Sequence, residues 1–512
     1  MYDRVMTSKE VITFICLYFT DAEGKLTIIH FYLDYFFPFD IILICEKEKE
    51  FEYMKEKRGS FSGSVGFVLA AAGSAVGLGN IWRFPYLAAK DGGGLFLVIY
   101  IILALTFGFT LLVSEVAIGR KTHQSSLTAY GKIHPKFRWI GGFSALVPFL
   151  ILPYYCIIGG WVLKYAVTFV SAHGSAAADS TYFTDFITAP VAPIVFDVIF
   201  LSATSFVVYM GVEKGIEKFS KVLMPILLVL VIAIAAYSLT VKNPETGMTG
   251  LDGLKIYLVP SLEGITFKKF FVVVIDAMGQ LFYSISVAMG IMVAFGSYVR
   301  DEDNLMQSVN RIEIFDTLVA ILAGVMIIPA VVVFMGEEGM TKGPGLMFVA
   351  LPKVFEAMGG VGQVVGAVFF VMVLFAALTS SVSVLEAVVS GLIDRFHWSR
   401  RRATVIEYVF ALVIGIVVCL GYNIFYFEVE MPNGVTGQIL DIVDYLANNI
   451  FMPVVAIGTC ILIGWGVKPD VVINEVTKNG EKFGRKGLYR VMITVVAPIL
   501  LTVLLLGSLG IL

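Results

Sequence analysis

Two short stretches of the chain combine small residues with hydroxyl or amide side chains inside long apolar runs. They are Gly73-Ser74-Ala75-Val76-Gly77-Leu78-Gly79-Asn80 and Ser284-Ile285-Ser286-Val287-Ala288-Met289-Gly290. A glycine destabilises a helix interior by about 1 kcal/mol relative to alanine, so both stretches are expected to unwind. Freed amide groups suit a carboxylate, and freed carbonyl groups suit a small cation. Together the stretches predict a site for an anionic or zwitterionic substrate and Na⁺.

The elements that carry these stretches are transmembrane helices. The 512 residues are 58% hydrophobic and 15% charged, with a mean hydropathy of +0.86, whereas soluble chains have about 25% charged residues. A helix crosses a bilayer with about 20 apolar residues. Windows of that length predict eleven spans, at 61–88, 95–118, 141–170, 191–210, 219–241, 270–298, 312–336, 361–393, 403–424, 438–466 and 491–511.

The loop charges predict the orientation of these spans. Cytoplasmic loops accumulate Lys and Arg, and alternate loops hold 20 such residues on one side against six on the other. The N-terminus is therefore predicted inside and, with an odd number of spans, the C-terminus outside. We therefore predict a multi-pass protein of the cytoplasmic (plasma) membrane that contacts the lipid bilayer.

The positions of the two stretches matter more than their presence. They lie in the first and sixth spans. Each of these is the first span of a half that contains five spans. Interrupted segments at corresponding positions indicate the binding site of an inverted-repeat transporter, and unwound backbone at that depth must line a cavity or be buried in protein. The alternative is that the glycines only allow close helix packing.

Several functional classes are excluded. A net charge of -3 leaves no basic excess for nucleic acid. The cysteines are scattered, and neither a phosphate-binding loop nor a nucleophile–histidine set is present. We therefore predict that the protein is not an enzyme.

Residues 1–57 differ from the rest, because aromatic clusters and a charged run replace a clean span. Either this stretch is an extension upstream of a working start at Met54, or it is a regulatory arm. The transporter domain is predicted to cover 58–512.

The motif Asn80-Ile81-Trp82-Arg83-Phe84-Pro85-Tyr86, followed by Asp91-Gly92-Gly93-Gly94, resembles the first helix of the neurotransmitter:sodium symporter family. The resemblance covers 58–512 and includes Glu115, Tyr155, Trp161, 280–290 and 378–381. It implies an all-α integral membrane protein with the leucine-transporter fold, with helices 1 and 6 broken. The inverted repeats would be 58–241 and 266–466, with an extra helix at 491–511. The implied activity is sodium-driven uptake of an amino acid or related amine by alternating access.

The resemblance also implies two sodium sites. The first would use Ala75, Asn80, Ser284 and Asp316, and the second would use carbonyls of Gly73, Val76 and Ala376 with hydroxyls of Thr379 and Ser380. Many relatives have asparagine in place of Asp316, and chloride-dependent relatives supply a negative charge with a bound anion. The aspartate therefore implies that chloride is not required. The alternative role for Asp316 is a helix cap near the cytoplasmic side.

The expected substrate site follows in the same way. The carboxylate would meet the amides of Leu78 and Gly79 and the hydroxyl of Tyr155, and the amino group would meet carbonyls of Ala75 and Ser284 near Ser286. The side chain would contact Ile151, Tyr283, Met289, Ser380, Ser383 and Val384. This uncharged wall favours a neutral, hydrophobic or aromatic amino acid. Relatives often have glycine at Ala288, and the effect of its methyl group on the pocket has no predicted sign.

The resemblance implies two gates. The extracellular pair is Arg83 with Asp444, and the intracellular pair is Arg58 with Asp394, near Tyr298. Such pairs provide the bistable element that alternating access needs. Gly215 and Pro225 resemble a family pattern for local unwinding during sodium release. A sensor that binds an amino acid without transporting it is the alternative function, and the sequence indicates no oligomeric state.

Overall fold

The computed structural model describes residues 16–20, 26–30, 59–260, 266–340 and 344–511. Met54 and Arg58 lie outside this part, so the predictions made for them are untouched. The described residues of the N-terminal extension form an antiparallel pair of strands, β1 (Cys16–Thr20) and β2 (Leu26–His30).

The rest of the described chain is mostly helical. Its main helices are α1a (Ser64–Ala75), α1b (Gly79–Lys90), α2 (Gly94–Thr122), α3 (Pro135–Val170), α4 (Ala192–Tyr209), α5 (Val212–Ser238), α6a (Phe267–Ser284), α6b (Ile291–Gly296), α7 (Leu305–Met335), α8 (Gly360–Phe396), α9 (Arg400–Leu420), α10 (Ile439–Gly466) and α11 (Lys486–Ser508). Shorter helices in the connections are Ser126–Ile133, Gly174–Ala178, Tyr182–Thr188, Gly250–Leu258, Glu337–Gly339, Leu346–Ala350, Leu351–Ala357 and Asp470–Val476. Two strands of two residues each, β3 (Val429–Glu430) and β4 (Thr436–Gly437), form an antiparallel hairpin.

The helices are long and apolar enough to make this a multi-pass membrane protein. Among the described residues, nine helices meet the length and composition of a span, and α1a with α1b makes a tenth. Helices α6a and α6b are separated by residues 285–290 and are not in that set. The fold class is confirmed, whereas the count of eleven spans stays a prediction.

Both predicted breaks are present. Helix α1 bends by 53° between α1a and α1b, and Val76 has an extended conformation there. Between α6a and α6b, Ser286, Ala288 and Gly290 all have positive φ angles, of 54°, 61° and 73°. Positive φ is costly for serine and alanine and persists only where surrounding structure imposes it. The second break is therefore a strained segment held in place by tertiary contacts.

The capping residues explain where several helices begin. Thr266, Asn304 and Ser399 each accept a hydrogen bond from the backbone amide three residues later, at the starts of α6a, α7 and α9. Such caps satisfy amides that have no partner within the helix. The broken helices then lie against α3 and α8, which position the cavity described next.

Candidate functional site

A small cavity lies where the two breaks face each other, and most of its lining residues are buried. Eleven of the twelve predicted substrate residues line it, and Ser383 does not. Ser383 instead donates its hydroxyl hydrogen to the carbonyl of Thr379, at 3.0 Å. The lining residues are Ser74, Ala75, Gly77, Leu78, Gly79, Asn80, Ile151, Tyr155, Tyr283, Ser284, Ser286, Met289, Ile291, Ser380 and Val384.

One end of the cavity is polar and tightly bonded. Asp316 Oδ1 accepts hydrogen bonds from Asn80 Nδ2 at 2.9 Å and from Ser284 Oγ at 2.8 Å, and Ser284 also lies 3.2 Å from Asn80 Oδ1. Asp316 is fully buried, and its Oδ2 atom has no hydrogen-bond partner among the described residues. Since Asp316 lies well inside α7, the alternative role as a helix cap is wrong. The three oxygen-bearing side chains suit a hard cation such as Na⁺.

A second group of oxygens lies where α8 approaches the first break. Ser380 Oγ lies 3.1 Å from the carbonyl oxygen of Ser74, 3.3 Å from that of Gly73 and 3.4 Å from that of Val76. Thr379 donates to the carbonyl of Ala376 at 3.1 Å. All the residues expected at the second sodium site are therefore neighbours. The one hydroxyl hydrogen of Ser380 can be donated to only one of these carbonyls at a time, and the remaining oxygens fit a hard cation.

Glycine is required at two positions of the first break. A Cβ atom at Gly77 would lie 2.7 Å from Ser380 Oγ and 3.1 Å from the hydroxyl of Tyr155. A Cβ atom at Gly79 would lie 2.7 Å from the ring of Tyr283. The glycines thus let these polar and aromatic groups approach the backbone closely, a role that accompanies the unwinding of the helix.

The hydroxyl group of Tyr155 is buried and has no hydrogen-bond partner among the described residues. It lines the cavity beside the unwound backbone of the first break. A buried polar group without a partner is costly unless a ligand satisfies it. Tyr155 is therefore a donor available to a carboxylate in the cavity.

The expected extracellular pair is not formed in this structure. Arg83 makes no ion pair within 4.0 Å in the described part of the chain, and Asp444 accepts a hydrogen bond from Asn448 at 2.6 Å instead. Asn448 in turn lies 3.2 Å from the hydroxyl of Tyr154. Asp444 is thus bonded to a residue of its own helix, α10, and that residue contacts α3. Asp444 and Arg83 do not form an ion pair with each other.

The intracellular end holds a network of described residues near Asp394, and the predicted pairing of Asp394 with Arg58 lies outside the described part of the chain. Asp394 accepts a hydrogen bond from the Ser125 amide at 2.6 Å. The hydroxyl of Tyr298 donates to Glu386 at 2.5 Å, and Arg400 binds both carboxylate oxygens of Glu386, at 2.5 and 2.9 Å. Sequence reasoning missed Glu386 and Arg400 as partners. The signal was available, because an isolated acid within an apolar span is usually functional.

This end is closed by the segment before α1a. Phe61 is buried against the rings of Phe67, Phe295 and Tyr298, and its amide donates to the carbonyl of Tyr298 at 3.1 Å. The Ser62 amide donates to Glu217 of α5 at 2.8 Å. These contacts tie the start of α1 to α5 and α6b.

Gly215 lies in an irregular turn that precedes the regular helix containing Pro225, and unwinding of this segment during sodium release stays a prediction. Residues Val212–Glu217 form a wider π-helical turn, and Pro225 lies inside the helix that follows. Lys221 pairs with Glu217 at 2.6 Å. The segment that contacts the closed end is therefore one in which regular helical bonding is already interrupted.

Comparison with known proteins identifies the family. Residues 58–185 and 191–511 match the sodium:neurotransmitter symporter family. The chain belongs to this family. The uncharacterized sodium-dependent transporter YhdH of Bacillus subtilis is 32% identical over 90% of this chain and 99% of its own length. The uncharacterized sodium-dependent transporter MJ1319 of Methanocaldococcus jannaschii is 30% identical over 87% and 89%.

A solved structure of the same family agrees in fold. The crystal structure of MhsT in complex with L-phenylalanine has a TM-score of 0.77, with 33% identity, and the match covers 88% of this chain and 100% of that chain. The sodium- and chloride-dependent GABA transporter 2 of Macaca fascicularis is more distant, at 27% identity over 82% of this chain and 74% of its own length. The protein is therefore a sodium-dependent membrane transporter of the sodium:neurotransmitter symporter family, and not an enzyme.

Proposed function

We propose that this symporter imports a neutral, hydrophobic or aromatic amino acid by alternating access, with two Na⁺ ions. The observation that carries the proposal is the cavity between the two breaks, whose polar end holds Asn80 and Ser284, both hydrogen-bonded to Asp316, and whose lining carries no charge. A carboxylate is accommodated by the break in α1 and by Tyr155. The similarity to MhsT, solved with L-phenylalanine, supports the substrate class.

The wall around the expected substrate side chain is apolar and adaptable. Ile151, Tyr283, Met289 and Val384 line it, and no charged side chain from the described residues joins them. Methionine is flexible and polarizable and fits irregular ligand surfaces. A charged substrate side chain would be left unpaired there, at a cost of several kcal/mol. The wall therefore supports selection of apolar or aromatic side chains over charged ones.

The two sodium sites are part of the same proposal. Asn80, Ser284 and Asp316 would hold the first ion, with the carbonyl of Ala75, and the oxygens around Ser380 and Thr379 would hold the second. Both sets are hard oxygen donors. Because the Asp316 carboxylate supplies a negative charge beside the first ion, transport is proposed to be independent of chloride.

The orientation is also a proposal. The excess of Lys and Arg on one side supports a cytoplasmic N-terminus. In that orientation Glu386, Arg400 and Phe61 close the cytoplasmic end, and Arg83 and Asp444 face the exterior.

Uptake into proteoliposomes tests the proposal. The purified protein is reconstituted, and labelled L-phenylalanine is supplied with an inward Na⁺ gradient, with K⁺ replacing Na⁺, or with gluconate replacing chloride. We expect accumulation only with Na⁺ and at an equal rate without chloride. Binding of L-phenylalanine without accumulation would indicate a sensor, and loss of uptake in gluconate would refute chloride independence. Unlabelled arginine and glutamate serve as charged competitors and should leave uptake unchanged.

A further inference from the structure

Two carboxyl groups are buried on the adjacent helices α4 and α9, and neither lines the substrate cavity. Asp197 of α4 is 1% exposed and Glu407 of α9 is 2% exposed. Neither forms an ion pair with any described residue. Both oxygens of Asp197 and the Oε1 atom of Glu407 lack hydrogen-bond partners in the described part of the chain.

The chain provides a closely fitted space for the Asp197 carboxyl group. A Cβ atom at Gly415 of α9 would lie 2.8 Å from Asp197 Oδ2, and a Cβ atom at Gly160 of α3 would lie 2.8 Å from the Asp197 backbone nitrogen. Glycines on two neighbouring helices therefore make room for this residue. An acidic side chain at the protein surface would not need glycine at these two positions. The Asp197 carboxyl group is therefore closely packed between α3 and α9.

Glu407 lies about two turns along α9 from Gly415. The two helices run antiparallel, because Asp197 of α4 lies beside Gly415 and the hydroxyls of Ser202 and Tyr408 lie 3.1 Å apart. Ser205 of α4 is therefore at about the same level as Glu407. The hydroxyl of Ser205 is also buried without a partner. The helix pair thus carries buried oxygens without partners at two levels, with the Ser202–Tyr408 contact between them.

An ionised carboxylate without a partner costs several kcal/mol in such surroundings. A metal cation is a poor remedy, because Na⁺ needs several oxygen ligands. The groups near Asp197 on α3 and α9 include Cys156 and Cys419, whose sulfur atoms are weak ligands for Na⁺. A proton neutralises the carboxyl group without further ligands.

We propose that the α4–α9 interface is an intramembrane proton-binding site, in which Asp197 and Glu407 each bind one proton. This site is separate from the sodium and substrate residues, and it does not depend on which amino acid is carried.

One hydroxyl bridge joins this interface to the cation oxygens. Thr204, next to Ser205 on α4, lies 2.8 Å from Ser381 of α8, oxygen to oxygen. Ser381 directly follows Ser380, whose hydroxyl contacts the break in α1. Asp197 lies about two helical turns from Thr204 along α4. One hydrogen bond then joins Thr204 to α8, beside the oxygens of the second candidate sodium site.

Infrared spectroscopy of the protein in lipid near neutral pH tests the proposal. A protonated carboxyl group has a C=O stretching band that an ionised carboxylate lacks. We expect Asp197→Asn and Glu407→Gln each to lose one such band, while Asp185→Asn, at an exposed site on a connecting helix, loses none. Gly415→Ala keeps the Asp197 carboxyl group but presses a methyl group against it, and should shift the frequency of that band.

A measurement on the unchanged protein guards against variants that do not fold. Transfer into D₂O should lower the frequency of the same bands, because O–H becomes O–D. Two outcomes would overturn the proposal: unchanged C=O bands in both folded variants, or carboxylate bands lost in their place. Unshifted bands in D₂O combined with a silent Gly415→Ala spectrum would also overturn it.

Discussion

Replacing Asp316 by asparagine isolates the role of one buried charge. The carboxylate is fully buried and lies within hydrogen-bond distance of both Asn80 and Ser284, at 2.9 and 2.8 Å. An ion bound by these side chains would therefore lie within about 4 Å of the carboxylate. The asparagine keeps an oxygen of similar position and size, so the substitution removes the charge while largely preserving the space.

The magnitude follows from Coulomb's law. Two unit charges about 4 Å apart interact by about 4 kcal/mol at an effective dielectric constant of about 20. Since about 1.4 kcal/mol corresponds to a tenfold change, this sets an upper limit of about a thousandfold in Na⁺ affinity. The remaining amide oxygen and a relaxed site reduce the loss. We expect the half-saturating Na⁺ concentration to rise at least about tenfold.

The assay is a Na⁺ titration of L-phenylalanine binding in chloride-free buffer, with choline balancing the ionic strength. Asp185→Asn, an exposed site that loses the same charge, is the matched control. Adding chloride to Asp316→Asn should partly restore binding, because an anion can replace the lost charge. A half-saturating Na⁺ concentration within twofold of the wild type, in a folded variant, would refute the assignment of this residue.

Three further substitutions test other parts of the structure. Gly77→Ala puts a methyl group 2.7 Å from Ser380 Oγ, so amino-acid affinity should fall at least tenfold in binding titrations, and unchanged affinity would contradict the cavity geometry. Pro225→Ala restores a helix hydrogen bond in α5, so sodium release should slow in efflux measurements while equilibrium binding is retained; wild-type efflux kinetics would argue against it. Burial, with a contribution from nearby Asp276, raises the pKa of Asp91, just beyond α1b, to about 7. Because the folded state then favours the protonated acid, thermal stability should fall as pH rises from about 4 to about 7. Asp91→Asn should flatten this profile in thermal unfolding scans, and an equally steep profile in the variant would show that other groups cause it.

Local composition predicted the parts of the site that depend on local backbone. Gly77 and Gly79 weaken helix α1 wherever it packs, and the corresponding small-residue stretch of α6 indicated the second break. The lengths of the apolar runs likewise predicted where most helices lie. Helices α6a and α6b are not among the helices that meet the length of a span, because a long break separates them. That break is strained at Ser286 and Ala288.

Partners that come from distant helices were harder to predict. The pairing of Glu386 with Arg400 and Tyr298 depends on where α8, α9 and α6b cross, and a sequence shows which face of a helix a residue occupies but not the depth at which another helix meets it. The separation of Arg83 from Asp444 depends on the same packing. The unpartnered state of Asp197 became visible only once Gly160 and Gly415 were placed around it.

The sequence by itself therefore determined the membrane-spanning class, the two interruptions and the chemistry of the oxygens within them, because these follow from hydrophobic length and from the local cost of glycine in a helix. The tertiary structure decided which oxygens converge, which charges are paired and which carboxyl groups are left without a partner. Those outcomes depend on helix crossings and relative depth, and packing against residues hundreds of positions away determines both.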